Sequence, residues 1–227
     1  MVIAPMIDAQ GAAAGGAIAR FDAAFTTMPL VAVLRGVTPD EVLHIAGALI
    51  AAGFTMLEVP LNSPEPFESI ALLQAHCPPG VVVGAGTVLT PENVGRLAAL
   101  GADLVVTPNT DTTVVDATVR AGLVPVIGCM TPSEALQATR HGARALKVFP
   151  AAALGPAYLR DIRAVLPPHT RIVPLGGIDR DSMAAFRAAG ADGFGFGSSL
   201  YKPGRTAAEV GALARTLVTT WRTLTTG

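Results

Sequence analysis

Lys147 stands in the middle of Ala145-Leu146-Lys147-Val148-Phe149-Pro150, a short apolar stretch with strand character. Burial disfavours an ammonium ion and draws a lysine pKa down. The chain has only two lysines, and apart from four histidines its other basic side chains are arginines. The second lysine, Lys202, falls in Tyr201-Lys202-Pro203-Gly204, which reads as an exposed loop. Two readings fit Lys147: a strand-end lysine that snorkels to water, or an amine kept partly neutral so that it attacks a carbonyl carbon. Glu58, inside Met56-Leu57-Glu58-Val59-Pro60, poses the same question for an acid. Side chains alternate along a strand, so Lys147 shares a face with Ala145 and Phe149, and Glu58 with Met56 and Pro60. With Arg35 after Val33-Leu34, these groups form either a structural ion pair or an amine with an acid/base partner.

Glycine turns suggest where an oxyanion would sit. Gly176-Gly177 and Gly197-Ser198-Ser199 each follow an apolar run, and bare backbone N–H groups there can approach phosphate oxygens. The two serines add hydroxyl donors; the plainer reading is a pair of tight turns. A metal site has less support. His44, His76, His141 and His169 fall on helices or loops, and no His/Asp/Cys cluster has ligand spacing, so no metal and no cofactor are expected. Cys129 ends an apolar run without a histidine partner and reads as a buried packing thiol.

The elements that position these residues follow a repeated pattern. From Leu30 onward an apolar run, a turn, an amphipathic stretch and usually a glycine recur eight times. The expected strands are Leu30–Leu34, Met56–Pro60, Val81–Ala85, Asp103–Thr107, Leu123–Ile127, Ala145–Phe149, Ile172–Leu175 and Gly193–Phe196. Gly53, Gly101, Gly122, Gly142 and Gly190 read as helix stops. Thr38-Pro39-Asp40-Glu41, Ser63-Pro64-Glu65, Thr90-Pro91-Glu92 and Thr131-Pro132-Ser133-Glu134 read as helix starts, with a cap, a first-turn proline and acids at the positive end of the dipole. Alternating strands and helices imply a parallel sheet, and eight units predict an α/β fold, a single (β/α)₈ TIM barrel. An open doubly wound sheet is the alternative. In such a barrel the site lies at the carboxyl ends of the strands. The barrel domain is expected over residues 29–227, behind a lead of residues 1–28 whose first 15 residues are loose. Its Ile18–Phe25 stretch forms a short N-terminal helix lidding the barrel bottom.

Composition narrows the setting. About half the residues are hydrophobic and 15% are charged, which suits a well-buried α/β domain. The formal net charge of −1, with no basic patch, argues against nucleic acid or an anionic membrane as partner. The apolar runs are too short to span a bilayer. The first residues lack a basic start and are interrupted by Asp8, so no signal peptide is read. Cys77 and Cys129 suit reduced thiols, and a cytoplasmic location is expected.

Taken together, Glu58-Val59-Pro60-Leu61-Asn62-Ser63, Gly84-Ala85-Gly86-Thr87-Val88, Thr107-Pro108-Asn109, Leu146-Lys147-Val148-Phe149-Pro150 and Gly197-Ser198-Ser199-Leu200-Tyr201 are recognisable. In this order and spacing they resemble the 2-keto-3-deoxy-6-phospho-sugar-acid aldolases (the KDPG/KHG aldolase family), over about Pro29 to Trp221. The resemblance is closest to the branch acting on the galactonate epimer. The gluconate branch typically reads Glu-x-Thr-Leu-Arg where this chain has Glu58-Val59-Pro60-Leu61-Asn62. The resemblance implies a class I aldolase, without metal, usually a homotrimer, that releases pyruvate and glyceraldehyde 3-phosphate. By motif, Lys147 is the Schiff-base lysine and Glu58 the general acid/base. Arg35 and Thr87 hold the substrate carboxylate, and Gly176, Gly177, Gly197 and Ser198 the phosphate. Pro108, Phe149 and Leu175 line the substrate pocket. Leu175 stands where the gluconate branch tends to have threonine, and an apolar group cannot hydrogen-bond a hydroxyl. It is expected to favour the galactonate epimer or to discriminate little. Three alternatives remain: an aldolase acting on the gluconate epimer or on both epimers, another lysine-dependent barrel aldolase, and a non-catalytic phosphosugar-binding barrel.

Overall fold

A computed structural model describes residues 11–226. Eight strands form one sheet: β1 (Leu30–Val33), β2 (Met56–Pro60), β3 (Val82–Gly86), β4 (Leu104–Val106), β5 (Val124–Cys129), β6 (Ala145–Val148), β7 (Ile172–Pro174) and β8 (Phe194–Phe196). Their order is β7-β6-β5-β4-β3-β2-β1-β8, with every ladder parallel. A parallel bridge from Leu175 to Gly195 joins the two ends of that order and closes the ring. The expected barrel is therefore the observed one, and the open sheet is not. Strand limits differ from the sequence reading by a residue or two.

The helices between strands are α2 (Pro39–Ala52), α3 (Pro66–His76), α4 (Pro91–Ala99), α5 (Thr112–Arg120), α6 (Pro132–Arg140), α7 (Ala151–Arg163) and α8 (Met183–Ala188), with α9 (Ala207–Thr225) after β8. The stop glycines act as such: Gly53, Gly101, Gly122, Gly142 and Gly190 all have positive φ. A left-handed residue turns the chain out of the helix, at least steric cost for glycine. Thr38, Thr90 and Thr131 occupy N-cap positions, and the Thr131 and Glu134 side chains satisfy each other's backbone N–H groups.

One expected start is wrong. Ser63 does not cap α3, which begins at Pro66 after Glu65 at φ 38°. The Ser63 hydroxyl instead accepts the Gly36 N–H at 2.9 Å, so it is engaged by the neighbouring loop.

Two apolar layers result. Leu57, Val59, Leu146 and Val148 point outward into the strand–helix core, whereas Met56 and Ala145 point inward. The lower interior is filled by those inward residues together with Phe21 and Phe25 of α1 (Gly11–Thr27). α1 thus caps the amino end of the barrel, as expected of a lid, but is longer than the predicted Ile18–Phe25. The loose lead expected over residues 1–15 is helical from Gly11 onward, in keeping with the alanines there. Residues 1–10 of that expectation lie outside the described residues. No helix among the described residues is long and apolar enough to cross a membrane.

Candidate active site

Glu58 is the third residue of β2 and points inward, with Val33 of β1 and Gly84 of β3 as its lateral neighbours. It is 1% exposed. Its carboxylate occupies space that only a glycine can leave: a Cβ on Gly86 would lie 1.4 Å from Glu58 Oε2. That oxygen has no hydrogen-bond partner among the described residues. Burial pushes the Glu58 carboxyl above its ordinary value, and the positive charges of Lys147 and Arg35 offset only part of that rise. A carboxyl so placed holds a proton more readily than a solvated one, which suits a group that must both take and return it.

Lys147 points inward from β6, between Gly128 on β5 and Val173 on β7. At 3% exposure it does not snorkel. Nor does it form the structural ion pair: among the described residues no ion pair joins it to Glu58 or to any other acid. Its Nζ lies 5.1 Å from the centroid of the Phe149 ring. Burial draws the amine below its ordinary value; Glu58 opposes that shift and Arg35 adds to it. The free amine needed for attack on a carbonyl is thereby favoured.

Around this pair the loops are held by backbone contacts. A Cβ on Gly128 would meet the Pro108 carbonyl carbon at 2.2 Å, so the loop after β4 folds directly over β5. The Thr107 hydroxyl accepts the Gly128 N–H at 3.0 Å and donates to Asn109 O at 2.6 Å. Thr110 donates to Gly128 O at 2.8 Å. Pro108 is thus carried to the strand flanking Lys147.

On the other side, Arg35 donates to Asn62 Oδ1 at 2.5 Å and, more weakly, to Thr87 Oγ1 at 3.4 Å. Thr87 has φ 55°, an uncommon conformation for a β-branched residue, and so is held there by its surroundings. Arg35 and Thr87, both expected at the substrate carboxylate, are thus neighbours in space.

The glycine turns follow β7 and β8, next to β1 in the ring. Gly176 and Gly177 have φ of 97° and 75°, and a Cβ on Gly177 would lie 2.5 Å from the Ala152 methyl. Nothing lies within 4 Å of a Cβ built on Gly197, so that turn leaves open space. Ser198 is exposed beside it, and its carbonyl accepts from Arg205 at 2.9 Å. The Ser199 hydroxyl donates to Ile178 O at 2.7 Å, so it is not the free donor that the sequence suggests.

A cleft of about 860 Å³ lies between these turns and Arg35, lined by Arg35, Phe149, Leu175, Gly176, Gly177, Gly197 and Ser198. Glu58, Lys147, Thr87 and Pro108 do not line it; Lys147 adjoins it through Phe149, and Thr87 through Arg35. Sequence reasoning missed Lys202 as a wall of this cleft, along with Tyr201 and Pro203. The available signal was position, since the segment directly follows the Gly197-Ser198 turn. Cys129 is buried, and burial first, then the Glu134 charge, pushes its thiol up to about 12. It is a packing group. Among the described residues no group of three or more His, Cys, Asp or Glu is placed to hold a metal.

A closed parallel barrel with a buried amine and a buried carboxyl at its carboxyl-end rim defines a (β/α)₈ enzyme suited to carbonyl chemistry. The chain belongs to the KDPG and KHG aldolase family, whose model matches residues 21–211. It is a carbon–carbon lyase of that family. A probable 2-dehydro-3-deoxy-6-phosphogalactonate aldolase of Rhizobium meliloti is 48% identical over 80% of this chain and 86% of its own length. The 2-dehydro-3-deoxy-6-phosphogalactonate aldolase of Escherichia coli is 42% identical over 87% of this chain and 96% of its own. A solved structure described as native KDPGal superposes with a TM-score of 0.85 at 41% identity, covering 87% of this chain and 96% of that one.

Proposed function

We propose that this protein is a class I aldolase that cleaves 2-dehydro-3-deoxy-6-phosphogalactonate to pyruvate and D-glyceraldehyde 3-phosphate. The observation that carries the reading is Lys147: a buried amine that joins no ion pair among the described residues and is shifted toward its neutral form. Lys147 attacks the C2 ketone and, with loss of water, forms a protonated Schiff base. Glu58 takes the proton of the C4 hydroxyl as the C3–C4 bond breaks, and the bonding electrons pass to the iminium as an enamine. The aldehyde product departs. Glu58 returns its proton to C3 of the enamine, and water hydrolyses the iminium to release pyruvate and free Lys147. The iminium is itself the electron sink, so this chemistry calls for no cofactor. Arg35 and Thr87 hold the carboxylate, while Gly176, Gly177, Gly197 and Ser198 hold the phosphate; Phe149 and Leu175 are the apolar walls between, with Pro108 over Gly128 beside Lys147.

Borohydride reduction in the presence of pyruvate, followed by peptide mass mapping, tests this mechanism. The expected result is a reduced pyruvate adduct on Lys147 and none on Lys202. No adduct on folded protein would remove the aldolase mechanism and leave a phosphosugar-binding barrel. The galactonate epimer is favoured because Leu175, 8% exposed, presents methyl groups to the cleft where a hydroxyl would be needed to reward the other C4 configuration. A clearly higher kcat/KM for the gluconate epimer would reverse that assignment. The same reading places residues 29–227 in the aldolase domain and 1–28 in a lead. It also places the enzyme in the cytoplasm as a homotrimer, for which sedimentation should give three times the 23.1 kDa chain mass.

A further inference from the structure

Arg35 is the cation nearest the proposed carboxylate end, yet its own side chain is exposed, and an exposed arginine has no fixed direction unless something holds it. We infer that Asn62 is a positioning residue that aims the Arg35 guanidinium across the barrel mouth without neutralising it. This inference rests on the carboxylate-binding role proposed for Arg35.

Three observations carry it. Leu34 N donates to Glu58 O at 2.9 Å, which sets the ends of β1 and β2 side by side and brings the residues after them together. Two consecutive residues after β2 then grip two consecutive residues after β1. Asn62 Oδ1 accepts from Arg35 at 2.5 Å, and Ser63 Oγ accepts from the Gly36 N–H at 2.9 Å. Gly36, at φ 85°, is walled from behind, since a Cβ there would meet Pro203 Cγ at 2.7 Å. The remaining Arg35 contact, to Thr87 at 3.4 Å, is too long to orient the group alone.

The chemistry of the acceptor is as informative as its place. Among the described residues Arg35 joins no ion pair; its partner is a neutral amide oxygen. Asparagine therefore fixes the fork while leaving its full charge for a carboxylate. Aspartate would hold the fork but compensate the charge, and alanine would release it. The charged groups that act on Lys147 are Glu58 and Arg35, and the Arg35 charge favours the neutral amine. A guanidinium released to solvent loses part of that influence.

The test is the rate of borohydride trapping as a function of pyruvate concentration and pH, in the full chain and in N62A, N62D, R35A and the R35A/N62A double variant. For N62A we expect the half-saturating pyruvate concentration to rise about 10-fold, and the acid limb of the pH profile to move to higher pH, with an unchanged melting temperature. N62D, folded and still tethered, is expected to show a similar rise because the charge is paired. In the R35A background the N62A change should add nothing. The inference is overturned if N62A behaves as wild type, or if its cost is the same with and without Arg35. If R35A itself leaves pyruvate half-saturation unchanged, the carboxylate assignment to Arg35 falls and this inference falls with it.

Discussion

The two ends of the barrel treat buried charge in opposite ways. At the amino end Arg20 and Asp22 of α1 are both held in ion pairs. Asp103, 2% exposed, accepts from Arg20 and from the Val83 N–H at 3.0 Å. Asp22 accepts from both Arg144 and Arg171, and Arg171 also stacks 4.9 Å from the Phe25 ring centroid. At the carboxyl end Glu58 and Lys147 are buried as deeply, but among the described residues neither joins an ion pair, and each is shifted toward its neutral form. An uncompensated buried charge costs stability. The same desolvation that costs stability at the rim favours the neutral amine and the protonated carboxyl that the proposed mechanism calls for. One end pairs its charges; the other buries an acid and an amine that join no ion pair among the described residues.

The largest expected effect comes from K147M. Catalysis should fall by at least about 10⁴-fold, because the covalent step is lost. The melting temperature should hold or rise by a few degrees, because an amine is removed from an apolar setting. Circular dichroism melts beside steady-state assays decide the point, and a marked fall in melting temperature would contradict the division between the two ends.

Next is G86A. A methyl group 1.4 Å from Oε2 must turn the Glu58 carboxylate aside, and a displacement of that order should lower kcat by about 10²-fold. G197A makes the control for added bulk, since nothing lies within 4 Å of its new methyl. It should leave the melt unchanged and raise KM for the phosphorylated substrate, as obstruction of the phosphate would.

D103A breaks the opposite end. It leaves the buried Val83 N–H unpaired and should cost about 2 kcal/mol in a urea titration. Its kcat should match wild type. A comparable loss of kcat would show that the two ends are coupled.

Acid titration gives the smallest and most diagnostic contrast. Burial works against the Asp22 carboxylate, but hydrogen bonds from Arg144 and Arg171 prevail and hold its pKa below 3.8. Its contribution is therefore present above that value and lost as pH falls through the folded pKa. Glu58 has the reverse sign: its pKa lies above 4.5, so stability is lost as pH rises through it. E58Q should melt above wild type at neutral pH, with the gap closing toward pH 4.5. D22N should melt below wild type at neutral pH, with its gap closing below pH 3.8. Parallel pH profiles for the two variants would refute the contrast.

Local signals made much of the molecule legible in the chain itself. Five stop glycines and the Thr-Pro helix starts announced the alternation of helix and strand, because left-handed backbone and N-caps are demands of single residues. Lys147 and Glu58 were legible because strand periodicity puts them opposite apolar neighbours, so that a charge faces inward. Ser63-Pro64-Glu65 misled for the complementary reason. It has the composition of a cap, but its hydroxyl is taken by Gly36, 27 residues away in the chain.

What the sequence determined by itself is thus the set of elements, their order and the identity of the inward-facing charges, all of which follow from periods and turn chemistry within a few residues. Only the tertiary structure decided how those charges are used. It seats Glu58 in the space left by Gly86, lays Pro108 over Gly128, turns Arg35 onto Asn62, and brings the Lys202 loop to the wall of the cleft. Each of these is a distance between residues far apart in the chain. Such distances are set by barrel closure and strand register, which no local pattern encodes.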